Sequence, residues 1–180
     1  MVVLIAAVGI SGSGKTTTIE FLISNFTKNG YRVGAIKHIH RENFTIDKEG
    51  SNTWRFSQAG SKITVAISPD EIATIEKTKA SLENLDKVIK QLENEQLDII
   101  FIEGFHSYIS KRPDIAKIIT AKTNEDLVKT ISNSVPPILA ITGIIAKNKP
   151  QVTKIPLLDL PNEGTQLLDI VKNHITTSKV

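Results

Sequence analysis

The 180-residue chain has no cysteine. That absence excludes disulfides, thiolate metal centres and cysteine nucleophiles, and with them a small secreted domain held together by bridges. Aromatic residues make up only 5% of the chain, with a single tryptophan. Lysines are scattered among acids, and no basic stripe carries interleaved aromatics. A net charge of +3 and a pI near 9.0 therefore give no case for a nucleic-acid partner. No stretch approaches the ~20 apolar residues that cross a bilayer, so no membrane partner is expected. The apolar amino end has no basic leader and no small-residue cleavage site, which points to a cytoplasmic protein. What remains is ordinary for a globular chain, 40% hydrophobic and 23% charged, and its length suits one domain over residues 1–180.

Against these absences stands one complete motif. Gly9-Ile10-Ser11-Gly12-Ser13-Gly14-Lys15-Thr16 is a G-x-x-x-x-G-K-[ST] phosphate-binding loop. The run before it, Val2 to Val8, is uncharged and apolar, as a buried parallel strand requires. After it, Ile19, Leu22, Ile23 and Phe26 share one face of a 3.6-residue period, as in an amphipathic helix. Backbone N–H groups of such a loop converge on phosphates, and glycines at Gly12 and Gly14 allow the close approach. Lys15 would meet the β- and γ-phosphates and Thr16 would ligate Mg²⁺, while Thr17 is placed for the α-phosphate. The nucleotide-binding set is therefore Gly9, Ser11, Gly12, Ser13, Gly14, Lys15, Thr16 and Thr17.

Asn29-Gly30 ends the first helix, and Tyr31 to Ile36 reads as a second strand. His38 to Gly60 follows as a long polar connection with little apolar periodicity, of a kind that is usually functional. Ser61 to Ile67 alternates like a strand, Pro69 breaks it, and Glu71 to Glu76 reads as a short antiparallel partner. Leu82, Leu85, Val88, Ile89 and Leu92 mark a helix, and Leu97 to Ile102 a buried strand. Ile115 to Thr120 and Ile138 to Ile141 are further strands, with a short helix over Glu125 to Ile131. Leu167, Leu168, Val171 and Ile175 close the chain as a helix. Strands alternating with helices predict an α/β fold of the P-loop NTPase kind, a mostly parallel sheet with helices on both faces. Ligands of such sheets sit beyond the carboxyl ends of the strands, which places the loop, the His38 segment and Glu103 on one rim.

Glu103 follows four apolar residues, Ile99 to Ile102, and that pattern delivers an acid to Mg²⁺ beside a phosphate loop. Thr16 and Glu103 are thus the metal candidates, and Glu103 a catalytic one. Asp47, in the long connection, could touch the metal or orient a water, or could simply form a turn before Lys48-Glu49-Gly50. His38 and His40 lie two apart at a strand end; phosphate or partner contacts suit them better than zinc, for which no third ligand is evident, and plain loop histidines are the other reading.

The segment Lys37-His38-Ile39-His40-Arg41-Glu42-Asn43-Phe44-Thr45-Ile46-Asp47-Lys48-Glu49-Gly50, continuing through Thr53-Trp54-Arg55 to Ala59-Gly60, joins the phosphate loop and Ile102-Glu103-Gly104-Phe105 in one ordered pattern. Over roughly residues 2 to 120 it resembles the molybdopterin-guanine dinucleotide biosynthesis protein B family, MobB. The resemblance implies a GTP-binding accessory, dimeric, working beside the molybdenum cofactor guanylyltransferase MobA in the step that joins GMP to molybdopterin. Departures from the family pattern are Arg41 for a histidine, Gly50-Ser51-Asn52-Thr53 for Gly-Lys-Asp-Ser, and His106 for a lysine. The Asn-Lys-x-Asp element that reads guanine is absent, since Asn148-Lys149-Pro150-Gln151 lacks the acid. Guanine preference therefore comes from the resemblance alone.

The rival class is a P-loop small-molecule kinase, which generally needs an arginine-rich lid. The only arginines are Arg32, Arg41, Arg55 and Arg112, and no compact lid is visible among them. A nickel-type metal-insertion GTPase would want more ligands than four histidines. With no arginine close to the loop in sequence, turnover of the isolated protein is expected to be slow. His38 to Gly60 is expected to be the specificity element. Its cations Lys37, Arg41 and Arg55 suit phosphates, and His38, His40, Arg41 and Arg55 form the candidate pterin or partner contact.

Overall fold

A computed structural model describes residues 2–78, 83–148 and 154–178. Contacts divide the chain into two compact units, residues 1–38 with 86–180, and residues 39–85. The larger unit is a five-stranded parallel sheet. Its strands are β1 (Val3–Val8), β2 (Val33–Lys37), β5 (Ile99–Glu103), β6 (Ala116–Thr120) and β7 (Ile138–Thr142), in the spatial order β2-β5-β1-β6-β7. β5 and β6 are buried at every position, which is why they read as continuous apolar runs rather than alternating ones.

Helix α1 (Lys15–Lys28) starts directly at the end of the phosphate loop. It stops through backbone geometry: Gly30 takes φ 82°, its N–H donates to the Thr27 carbonyl, and the Tyr31 N–H donates to Phe26. This is a Schellman arrangement, completed by edge contact between the Phe26 and Tyr31 rings at 5.0 Å. On the side facing α1 and α6 (Leu160–Ser178), Ile5, Ala7, Phe101 and Ile118 pack with Leu22, Phe26, Leu167, Val171 and Ile175. Ile119 and Ile141 point the other way, onto Leu127 of α5 (Asn124–Ser132) and Ile145 of a 3₁₀ turn, Ile144–Asn148. Helices thus cover both faces, as the alternation predicts. Thr123 caps α5, its hydroxyl accepting from the Asp126 N–H while the Asp126 carboxylate accepts in return.

The smaller unit holds α2 (Asn52–Gln58) and an antiparallel hairpin of β3 (Ile63–Ile67) and β4 (Ile72–Glu76), pairing Ile67 with Ile72 and Val65 with Thr74. The two remaining helices are α3 (Glu83–Glu93) and α4 (His106–Ile109).

Several expectations shift. The second strand runs Val33–Lys37, later than the Tyr31 to Ile36 reading, because Tyr31 completes the helix end. The connection after His38 carries a helix that periodicity did not reveal: α2 buries none of its residues, and its signal is the cap at Ser51, whose side chain accepts from the Trp54 N–H. Helix α4 and the 3₁₀ turn were likewise not anticipated. Leu82 and the stretch Lys149-Pro150-Gln151 lie outside the described residues.

Phe26 is fully buried, between the rings of Tyr31 at 5.0 Å and Phe101 at 6.0 Å. Phe26→Ala is expected to lower unfolding free energy by about 3–5 kcal/mol, measured by denaturant titration, through lost burial and the cavity left behind.

Candidate active site

Strand register assembles the site. β5 lies between β1 and β2, pairing Glu103 with Ala7 on one side and Lys37 on the other. The phosphate loop leaves β1 one residue later, so the loop, Lys37 and Glu103 meet at the carboxyl rim of the sheet. They line a cavity of about 380 Å³ together: Ser11, Gly12, Gly14, Lys15, Thr16, Thr17, Lys37 and Glu103.

The loop is held from behind by hydroxyls. Ser13 is wholly buried; its Oγ donates to the Ile10 carbonyl at 2.8 Å and lies 2.6 Å from Thr120 Oγ1 at the end of β6. Thr18 Oγ1 donates to the Gly14 carbonyl at 2.9 Å and lies 3.0 Å from Thr142 Oγ1 at the end of β7. Gly14 enters α1 at φ 107°, a left-handed conformation that a side chain would strain. Gly9 backs onto Thr120, and Gly12 lies against the Lys122 side chain. The first-turn N–H groups of α1, beginning at Lys15, are those that lack intrahelical acceptors.

Lys15 Nζ donates to the carbonyls of Gly9 at 2.9 Å and Ile10 at 2.6 Å. Partial burial lowers its pKa; Glu103 opposes that shift, while the ammoniums of Lys37 and Lys122 add to it. The site is therefore rich in positive charge held close together, a field that an anion would relieve. Thr16 Oγ1 stands 3.1 and 3.0 Å from the two carboxylate oxygens of Glu103, and the Lys37 ammonium is ion-paired with Glu103 Oε1. Glu103 itself is 8% exposed.

Two residues beside Glu103 fix its surroundings. The His38 N–H donates to the Glu103 carbonyl at 2.8 Å, and the His38 ring stacks on Phe105 at 4.1 Å. Gly104, at φ 105°, permits this contact, since a Cβ there would stand 2.4 Å from the His38 Cβ. His106 bonds through Nε2 to the Gly9 carbonyl, so the residue that departs from the family pattern props the start of the loop.

A larger cavity of about 580 Å³, lined by Gly9, Ile10, His106, Lys111 and Lys129 among others, adjoins the start of the loop. Of these two cavities, the smaller is the one whose lining suits a phosphate, since it combines Lys15, the head of α1 and the Thr16–Glu103 oxygen pair.

His40, Arg41, Asp47 and Arg55 belong to the smaller unit. His40, Arg41 and Arg55 are exposed, Arg55 on α2. Asp47 Oδ1 accepts from Ser51 Oγ at 2.9 Å and Thr53 Oγ1 at 2.8 Å, while Oδ2 is buried with no hydrogen-bond partner among the described residues. Among the described residues, no three His, Asp or Glu side chains converge as a metal cluster. The Thr16 hydroxyl and Glu103 carboxylate form a hard-oxygen pair whose chemistry fits Mg²⁺. Sequence reading missed Thr120, Thr142 and Lys122, and gave Lys37 only as one cation of a long segment. The signal for Lys37 was its position directly at the end of a strand neighbouring the acid strand.

Lys15→Ala should lower affinity for a nucleoside triphosphate by at least about tenfold, because charge-assisted contacts of this kind are worth about 1.5–3 kcal/mol. Calorimetric titration of a variant that melts like the parent checks this, and unchanged affinity for GTP and ATP would remove the phosphate-site reading.

Known proteins share both pattern and fold. The family model for Molybdopterin guanine dinucleotide synthesis protein B matches residues 4–142. A Haemophilus influenzae protein named molybdopterin-guanine dinucleotide biosynthesis adapter protein is 31% identical over 172 residues, spanning 96% of this chain and 89% of its own. An adapter protein of the same name from Escherichia coli is 33% identical over 66% of this chain and 65% of its own. Among solved structures, Bacillus subtilis MobB superposes with a TM-score of 0.71 at 23% identity, over 94% of this chain and 96% of that one. The MobB homolog from Bacillus stearothermophilus gives 0.70 at 19%, over 97% and 98%. With the family model matching most of the chain and a relative aligning along nearly all of it, the chain belongs to the MobB family.

Proposed function

We propose that the protein is a GTP-binding adapter in molybdenum cofactor biosynthesis, serving the step that forms molybdopterin guanine dinucleotide beside the guanylyltransferase MobA. The observation that carries this reading is the cluster of Thr16, Glu103 and Lys37 around a phosphate-loop lysine. The names of the relatives supply the pathway, and the chemistry of the cavity supplies the ligand class. Triphosphate is held by loop N–H groups, the Lys15 ammonium and the Thr17 hydroxyl. Thr16 and Glu103 would hold Mg²⁺, which would supply positive charge against the triphosphate.

Glu103 is the first catalytic carboxylate of this reading and Asp47 the second. Asp47 qualifies because its buried Oδ2 has no donor among the described residues, and a water or a ligand hydroxyl would supply one. No arginine is among the described residues that line the phosphate cavity, which agrees with slow hydrolysis by the isolated protein. His38, His40, Arg41 and Arg55 remain the proposed contacts to molybdopterin or to MobA, the two arginines suiting its phosphate through bidentate bonds.

Titration with GTP, ATP and molybdopterin tests base choice and pterin binding together, with GTP and molybdopterin expected to bind. Glu103→Gln keeps shape while removing the charge Mg²⁺ needs, so Mg²⁺-dependent tightening of GTP binding and the slow hydrolysis should both fall. A change confined to the melting temperature would make Glu103 structural and refute its metal role.

The proposed assembly is a homodimer, supported by the β3–β4 ribbon. Ile63, Val65, Ile67 and Ile72 lie on one face of it and are 52, 52, 77 and 70% exposed. An apolar ribbon with open edges calls for a partner strand or face. Light scattering at micromolar concentration should give a dimer for the parent protein and a monomer for Val65→Asp with Ile67→Asp. A monomeric parent protein would overturn the assembly.

A further inference from the structure

Lys37 is the charged group at the phosphate cavity that neither the loop motif nor the acid ending β5 accounts for. It closes β2, stands opposite Glu103 in register, and pairs its ammonium with Glu103 Oε1. Unlike the carboxylate it neutralises, whose side chain is 10% exposed, the Lys37 side chain is 54% exposed. Its four-carbon stem can therefore turn without disturbing the core. Lys15, by contrast, is tied to the Gly9 and Ile10 carbonyls. The repulsion between the two ammoniums is already felt at Lys15.

A bound diphosphate would fill the amide cradle of the loop and satisfy Lys15. A third phosphate extends past that cradle, and what lines the cavity besides the loop and the first turn of α1 is the Lys37–Glu103 pair. The terminal phosphate of a triphosphate carries more charge than one carboxylate and reaches past the loop amides, so it competes for the ammonium; the equally charged end of a diphosphate stays within the cradle and does not reach it. Glu103 would still hold the Thr16 hydroxyl after the exchange.

We infer that Lys37 distinguishes a nucleoside triphosphate from a diphosphate, its ammonium passing from the Glu103 carboxylate to the terminal phosphate. This rests on the nucleotide reading above and adds to it a residue that senses the number of phosphates.

Calorimetric titration with GDP and with the non-hydrolysable guanosine β,γ-imidotriphosphate, in excess Mg²⁺, provides the test. The quantity read is the ratio of triphosphate to diphosphate affinity. Lys37→Ala should lower that ratio by about tenfold or more, and Lys37→Arg should restore part of it. If alanine unfolds the protein, Lys37→Gln, which is shorter by one atom but keeps an uncharged N–H donor, gives the same comparison. A ratio equal to that of the parent protein in a folded variant overturns the inference while leaving the nucleotide site in place. A parent protein that binds neither guanine nor adenine nucleotides overturns the nucleotide reading, and the inference with it.

Discussion

Glu103 is an acid at the end of a strand in which every residue is buried, and the rest of the site is arranged around its charge. A carboxylate withdrawn from water needs partners for its oxygens. Here the partners come from two different strands' sequels: the Thr16 hydroxyl, delivered by the loop after β1, and the Lys37 ammonium at the end of β2. Their meeting depends on β5 lying directly between those strands. A shift of one residue in either pairing would turn the facing side chains to the opposite side of the sheet. Parallel register, fixed by the apolar runs of the core, therefore sets the electrostatics of the rim.

The same rim ties neighbouring segments together through contact. The His38 N–H is bonded to the Glu103 carbonyl, and its ring lies on Phe105, two residues beyond the acid. Gly104 makes the approach possible, so the Glu-Gly-Phe sequence has a packing reason for each of its members. The acid serves the cavity, the glycine admits His38, and the aromatic ring stacks on it. His106 then bonds back to Gly9, linking the segment after β5 to the one after β1.

Much of this was legible in the sequence because its determinants are local. The strand–loop–helix around Gly9 to Thr16, the apolar run before Glu103, and the hairpin broken at Pro69 each carry their own signal in consecutive residues. The parallel sheet follows from the alternation of such runs. Helix α2 was not legible by periodicity, since it buries no residue and hence shows no apolar stripe. Thr120 and Thr142 looked like ordinary strand-end residues; only tertiary packing brings their hydroxyls to Ser13 and Thr18. Lys122 was passed over for the same reason: nothing in its neighbourhood along the chain announces that its side chain rests on Gly12. Asp47 reads as either a turn former or a functional acid; one of its oxygens is taken by Ser51 and Thr53, as a turn former's would be, and the other has no donor among the described residues.

The hydroxyl pins behind the phosphate loop have a consequence for how the protein responds to its surroundings. Ser13, Thr18, Thr120 and Thr142 are all buried and none of them titrates in the range of a living cell. Neutral hydrogen bonds of this kind are also little affected by dissolved ions, which screen exposed charges first. The part of the loop that Ser13 and Thr18 anchor is thereby insulated from acidity and ionic strength. Its charged lining, with the more exposed Lys37 foremost, is not. Such a division lets ligand strength vary with the medium while the mould that receives the ligand keeps its form.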